Sequence, residues 1–232
     1  VGKLAASILS ADFAYLADQV KLVEPHADFI HIDIMDAHFV PTLSIGPVVV
    51  ESIRPVTGLT FHAHLMVDDP VAMFDDLAQA GTEVVTCHME AVPDPSRVVA
   101  EAANRKLRAG LAVNPETPVE DLFPHLERLD RVLIMTVNPG WSGQKFLDQG
   151  LTKIEAARKE IDRQGLEVDI EVDGGINEET GRRCIAAGAT VLAAASSVFK
   201  VDDPAGAARR LQAVARGSAT EAGAPTNGNG EG

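Results

Sequence analysis

Cysteine is scarce in this 232-residue sequence: Cys87 and Cys184 are the only two, far apart and each among apolar neighbours. That excludes a disulfide scaffold, and both are expected to be buried thiols in a reducing compartment. Basic side chains are also few. Twenty Lys and Arg stand against 34 Asp and Glu, a formal net charge of -14. Such a chain repels nucleic acid and anionic membranes, so neither is an expected partner. Backbone amides at a helix N-terminus can still hold a phosphate locally. Although 46% of the residues are hydrophobic, no apolar run reaches the length of a membrane span. No basic stretch leads into an apolar one as in a secretory signal, and a cytoplasmic location is expected.

What is present is alternation. Runs at 4–8, 29–36, 59–66, 83–88, 108–113, 131–135, 168–172 and 191–194 read as strands. Helical patterns come after them at 12–24, up to 54, at 69–81, 96–104, from 117, and at 147–164, 177–187 and 204–215. Ser10 or Asp12 can cap the first helix, whose Phe13, Leu16, Val20 and Val23 fall at helical spacing. Thr117-Pro118 is a cap followed by a first-turn proline. Eight strand–helix pairs with short connections imply a parallel sheet. Eight can close into a (β/α)8 barrel, with the active site built by the loops after the strands. An open doubly wound sheet would usually show G-x-G-x-x-G after its first strand. Here that turn reads Ser7-Ile8-Leu9-Ser10-Ala11-Asp12, so the α/β class with a TIM-barrel architecture is favoured. The chain is expected to hold one barrel domain over 1–216 and a disordered, period-free tail over 217–232.

The organising stretch is Phe29-Ile30-His31-Ile32-Asp33-Ile34-Met35-Asp36. Side chains alternate across a strand, so His31, Asp33 and Met35 share one face and Ile30, Ile32 and Ile34 the other. His-x-Asp offers a nitrogen and an oxygen to a metal; it serves equally as a buried hydrogen-bonded pair. His62, His64 and Met66 share a face of the third strand, His62 one step deeper, and Asp173 ends the seventh. His31, Asp33, His64 and Asp173 can therefore converge at a barrel mouth, a donor set suited to a divalent transition metal. His26, His38, His88 and His125 read as non-ligands, with His38 and His88 near the mouth. Met35, Met66 and Met135 fall at strand ends, as core filler or as an apolar floor. Gly140 and Gly143, in the loop that carries Trp141 and Ser142, permit close approach of a ligand or a mobile lid. Gly174, Gly175, Ala195 and Ser196 come after strands seven and eight, where barrels often bind phosphate.

These motifs together resemble the ribulose-phosphate 3-epimerase family, over nearly the whole chain to about residue 216. The resemblance rests on 7–13, 31–41, His64-Leu65-Met66, 137–144 and 171–176. It implies interconversion of D-ribulose 5-phosphate and D-xylulose 5-phosphate, through an enediolate, in the pentose phosphate pathway. It implies one divalent metal ion (Zn, Fe, Mn or Co) held by His31, Asp33, His64 and Asp173, with Asp33 and Asp173 also the acid–base pair. Ser7 and His64 would contact the substrate. The phosphate would lie against 140–143, Gly174, Gly175, Ala195 and Ser196. A small-molecule sugar phosphate and further copies of the chain, as a homo-oligomer, are the expected partners. Departures from the family pattern are Ala6 for Pro, Ala37 for Gly, Trp141 and Ser142 in a Gly-Phe-Gly-Gly loop, and Ala195 for Gly. If position 195 needs a positive φ, alanine there costs roughly 1 kcal/mol or more and weakens phosphate binding. An epimerase for a six-carbon substrate such as allulose 6-phosphate, and a sugar-phosphate binding protein without activity, remain as alternatives.

Overall fold

The stretch expected at 29–36 forms β2 (Phe29–Met35), buried along its whole length. The structure, a computed structural model, describes residues 1–217; all but the first residue of the expected tail lies outside them. Seven further strands complete the set: β1 (Lys3–Ser7), β3 (Thr60–Met66), β4 (Val84–His88), β5 (Arg108–Val113), β6 (Arg131–Met135), β7 (Asp169–Asp173) and β8 (Val191–Ala194). All pair in parallel in sequence order, and β8 returns to pair with β1, closing the barrel. The expected (β/α)8 architecture is therefore present. Helices α1 (Leu16–Val23), α2 (Pro47–Ile53), α3 (Phe74–Gln79), α4 (Pro95–Asn104), α5 (Gln149–Gln164), α6 (Glu178–Ala187), α7 (Ser196–Phe199) and α8 (Pro204–Ala215) surround it. None is long and apolar enough to cross a membrane.

Two apolar zones arise from the strand period. Ile30, Ile32 and Ile34 point outward, join the layer between strands and helices, and are at most 2% exposed. Full burial of each contributes roughly 1.5–3 kcal/mol. The inward face of the same strand meets a barrel interior that is polar in its middle and lined by Met35, Met66 and Val40 at its top. Cys87 and Cys184 are both free and buried, as expected.

Local chemistry corrects three boundaries. The first helical segment is a 3-10 turn (Phe13–Tyr15), then α1, then a second 3-10 turn (Glu24–His26). Tyr15 leaves helical geometry at φ -131 and ψ 31. Asp12 caps the first turn by accepting from the Ala14 amide, while Ser10 turns to Ser142 instead. The segment after β5 is a ten-residue 3-10 helix (Val119–Arg128), with Pro118 outside it as the cap and Pro124 inside. A proline interrupts an α-helical hydrogen-bond ladder because it has no N–H. The helix from 69 starts later, as a 3-10 turn (Val71–Met73) leading into α3.

Candidate active site

The barrel register sets the site. Asp33 on β2 lies opposite His64 on β3, Met35 opposite Met66, and Met135 on β6 opposite Asp173 on β7. His31, Asp33, His64 and Asp173 are brought together at the C-terminal end. His31 Nε2 lies 3.2 Å from Asp33 Oδ1 and 3.9 Å from Asp173 Oδ2. His64 Nδ1 lies 3.0 and 3.6 Å from the same two oxygens. All four ligand atoms fall within 4.8 Å of one another. Atoms about 2.1 Å from a shared tetrahedral ion would stand about 3.4 Å apart, so two imidazole nitrogens and two carboxylate oxygens at this spacing suit a divalent transition metal.

A cleft opens above these groups. Ser7, Asp33 and Asp173 line its base, with Met35, Met66 and Met135 on its walls. Ser7 donates to Asp33 Oδ2 at 2.6 Å, leaving Oδ1 toward the histidines. His31 and His64 are fully buried, so they meet the cluster rather than the open cleft. Gly140, Trp141, Ser142 and Gly143 form one rim, and Gly174, Gly175, Ala195 and Ser196 another. Gln144 donates to the carbonyls of Asn138 and Trp141, folding the 140–143 loop back on itself, and the Ser10 hydroxyl meets Ser142 at 3.0 Å. Glycine is required at 174 and 175. Both have positive φ, and a Cβ would strike Val137 at one and the Phe146 amide at the other. Ala195 has φ -107, so the expected penalty for alanine there does not arise. Ala37 is the residue held at positive φ, 61°.

Electrostatics split the two aspartates. Burial would raise Asp33, but the charge of His31 and its hydrogen bond outweigh it and lower the carboxyl in the metal-free site. Burial, then the neighbouring Asp33 carboxylate, pushes Asp173 up to about 7.

Several residues that read as non-ligands, or that no motif singles out, form a polar layer beneath the cluster. His31 Nδ1 donates to Glu171 Oε1 at 2.9 Å. Glu171 Oε2 takes the fully buried Arg131 guanidinium at 2.6 Å. Burial would raise Glu171; His62 and Arg131 outweigh it and hold the carboxyl well below its ordinary range. His31, His62 and Glu171 also lie close enough to share an ion. Arg131, 3.4 Å from His62 Nδ1, puts a fixed positive charge there instead. His88 lies against His64, while His38 sits exposed on the loop after β2, bonded to Asp36. Strand parity carried a signal for Glu171, two residues before Asp173 on the same face. Arg131, the first residue of its strand, carried none.

Fold and site together define a (β/α)8 barrel with a carboxylate–imidazole cluster under a glycine-rimmed cleft at its C-terminal mouth. The profile of the ribulose-phosphate 3 epimerase family matches residues 3–199, and the chain belongs to that family. The ribulose-phosphate 3-epimerase of Bacillus subtilis (strain 168) is 45% identical over 203 residues, covering 87% of this chain and 94% of the relative. That of Mycobacterium tuberculosis is 42% identical over 209 residues, covering 90% and 91%. Among solved structures, KGPDC from Streptococcus mutans superposes with a TM-score of 0.70 over 95% of this chain and 100% of that one. At 16% identity this is a likeness of fold alone.

Proposed function

We propose that the chain, through its barrel domain over 1–216, inverts C3 of a ketose phosphate and so interconverts D-ribulose 5-phosphate and D-xylulose 5-phosphate. The carrying observation is the cluster of His31, Asp33, His64 and Asp173 at the base of the cleft, in a chain of this family. These four residues would hold one divalent ion (Zn, Fe, Mn or Co). When bound, the ion neutralises the negative charge that builds on the substrate oxygens as a proton leaves the carbon beside the ketone. The acid–base work falls to the aspartates. Inversion takes a proton from one face of C3 and returns one to the other, so one carboxyl must be ionised and the other protonated. The two carboxylates, whose ligand oxygens lie within 4.8 Å of each other, can share one proton in that way, and each serves as acid in one direction and base in the other. Ser7 orients Asp33 by its hydrogen bond. No Lys or Arg lines the cleft among the described residues, so the phosphate would rest on backbone amides of 140–143, 174–175 and 195–196.

A coupled assay for D-xylulose 5-phosphate should show turnover that exhaustive chelation abolishes and Mn, Co or Zn restores. Asp33→Asn and Asp173→Asn should each abolish epimerisation. Product formed in deuterated water should carry deuterium at C3. Full activity of a metal-free preparation would refute the metal assignment. Retention of the substrate's own C3 hydrogen would refute the two-base scheme. Binding without turnover would favour a sugar-phosphate binding protein, and competition between five- and six-carbon ketose phosphates tests the chain length.

A further inference from the structure

His64 faces the cluster with Nδ1 and turns its other ring nitrogen away from it. His64 Nε2 lies 2.8 Å from His88 Nε2, with ring centroids 5.0 Å apart and the ring planes inclined by 25°. His88 Nδ1 lies 3.2 Å from Glu90 Oε2. The other oxygen of Glu90 accepts from the Asn114 amide at 2.8 Å and from the Thr117 hydroxyl. Lys153 on α5 in turn donates to the carbonyls of Asn114 and Thr117, at 2.9 and 2.5 Å. Glu90 is thus anchored independently of the histidines, from a different part of the barrel.

Two ring nitrogens 2.8 Å apart must share one hydrogen, so each imidazole's form dictates the other's. An ionised carboxylate only accepts, and a neutral imidazole has one N–H. His88 is fully buried, with one imidazole and one carboxylate as its ring partners, a setting that favours the uncharged ring. Burial works against ionised Glu90, but bonds from His88, Thr117 and Asn114 hold it at about 2. Glu90 therefore takes the His88 hydrogen on Nδ1. His88 Nε2 is left as an acceptor, and His64 must place its own hydrogen on Nε2. The reverse arrangement would set His64 Nδ1–H against Asp33 and block coordination through that nitrogen.

We propose that Glu90, acting through His88, is a positioning residue that fixes His64 as the Nε2–H form, with the Nδ1 lone pair aimed between Asp33 and Asp173. This rests on the reading of His64 as a metal ligand. Partners of this kind orient ligating histidines, and their loss typically weakens metal binding about 10–100-fold.

The test is zinc affinity by chelator competition for wild type, His64→Ala, His88→Phe, Glu90→Ala and the His88→Phe/Glu90→Ala double variant, each checked for folding by thermal melting. His88→Phe and Glu90→Ala should each lose about 10–100-fold. The double variant should lose no more than His88→Phe alone, because the two act in series. In zinc-loaded wild type, imidazole nitrogen NMR should find hydrogen on His88 Nδ1 and His64 Nε2, a readout independent of whether the variants fold. Hydrogen on His88 Nε2, unchanged affinity in both single variants, or losses that multiply in the double would each overturn the relay. If His64→Ala binds zinc as wild type does, the metal-site reading itself falls. If His64→Ala alone weakens binding, only the relay falls.

Discussion

Ala37 and Ala195 are the two alanines that read, on the sequence resemblance, as standing in for glycine, and as letters they are equivalent. The backbone separates them. Ala37, exposed at φ 61, is one of two non-glycine residues at positive φ among those described, whereas Ala195 is at φ -107. A left-handed alanine costs roughly 1 kcal/mol, partly offset by the entropy glycine would bring to the unfolded chain. Ala37→Gly should therefore raise stability by up to about 1 kcal/mol, or about 2–4 °C in Tm for a domain of this size. Ala195→Gly should give no such gain; the reverse ranking in a melting experiment would contradict the assignment. Asp173 gives a second test at this scale. Its carboxyl is raised from 3.8 to about 7 on folding without a metal, so its stabilising contribution is present below pH 4 and is lost as pH rises through 7. Metal-stripped Asp173→Asn should melt above metal-stripped wild type at pH 8, and the advantage should shrink toward pH 4. The four cluster residues were legible because strand parity alone selects their faces. His88 and Glu90 were not, since their role depends on cross-strand contacts and tautomers that no single strand encodes.

Among the elements, β6 and β7 carry a demand that a strand pattern hides. The Arg131 and Glu171 side chains are both 0% accessible and pair at 2.6 Å inside the barrel. Removing one member of a buried pair strands the other charge and typically costs about 3–5 kcal/mol. Arg131→Met should lower unfolding free energy by about that amount in a urea titration. A loss under about 1 kcal/mol would mean that solvent or another residue compensates Glu171. All eight strands were legible, because alternation and apolar runs are local signals. The helical connections were less so. Tyr15 and Pro124 impose 3-10 geometry on 13–15 and 119–128, where apolar spacing alone reads as α-helix. The short helix α7 hides in Ser196-Ser197-Val198-Phe199, too brief for a period to show.

At the scale of the whole molecule, every strand and every cleft residue among the described residues lies before Gly217. Truncation after Gly217 should leave Tm and turnover unchanged; a large loss of either would show that the remaining residues contribute to the barrel. Closure of β8 onto β1 carries a further consequence. Gly2 packs so tightly against α8 that a Cβ there would sit 2.0 Å from the Ala215 carbonyl oxygen, so the two ends of the described chain touch. In spatial terms the eight repeats form a cycle, and the point at which translation starts is arbitrary. A circular permutant joining Gly217 to Val1 through a short linker, and opened at Gly165 behind α5, keeps every strand neighbour and leaves the mouth untouched. It should fold and turn over as the parent does, with its new termini on the face away from the substrate.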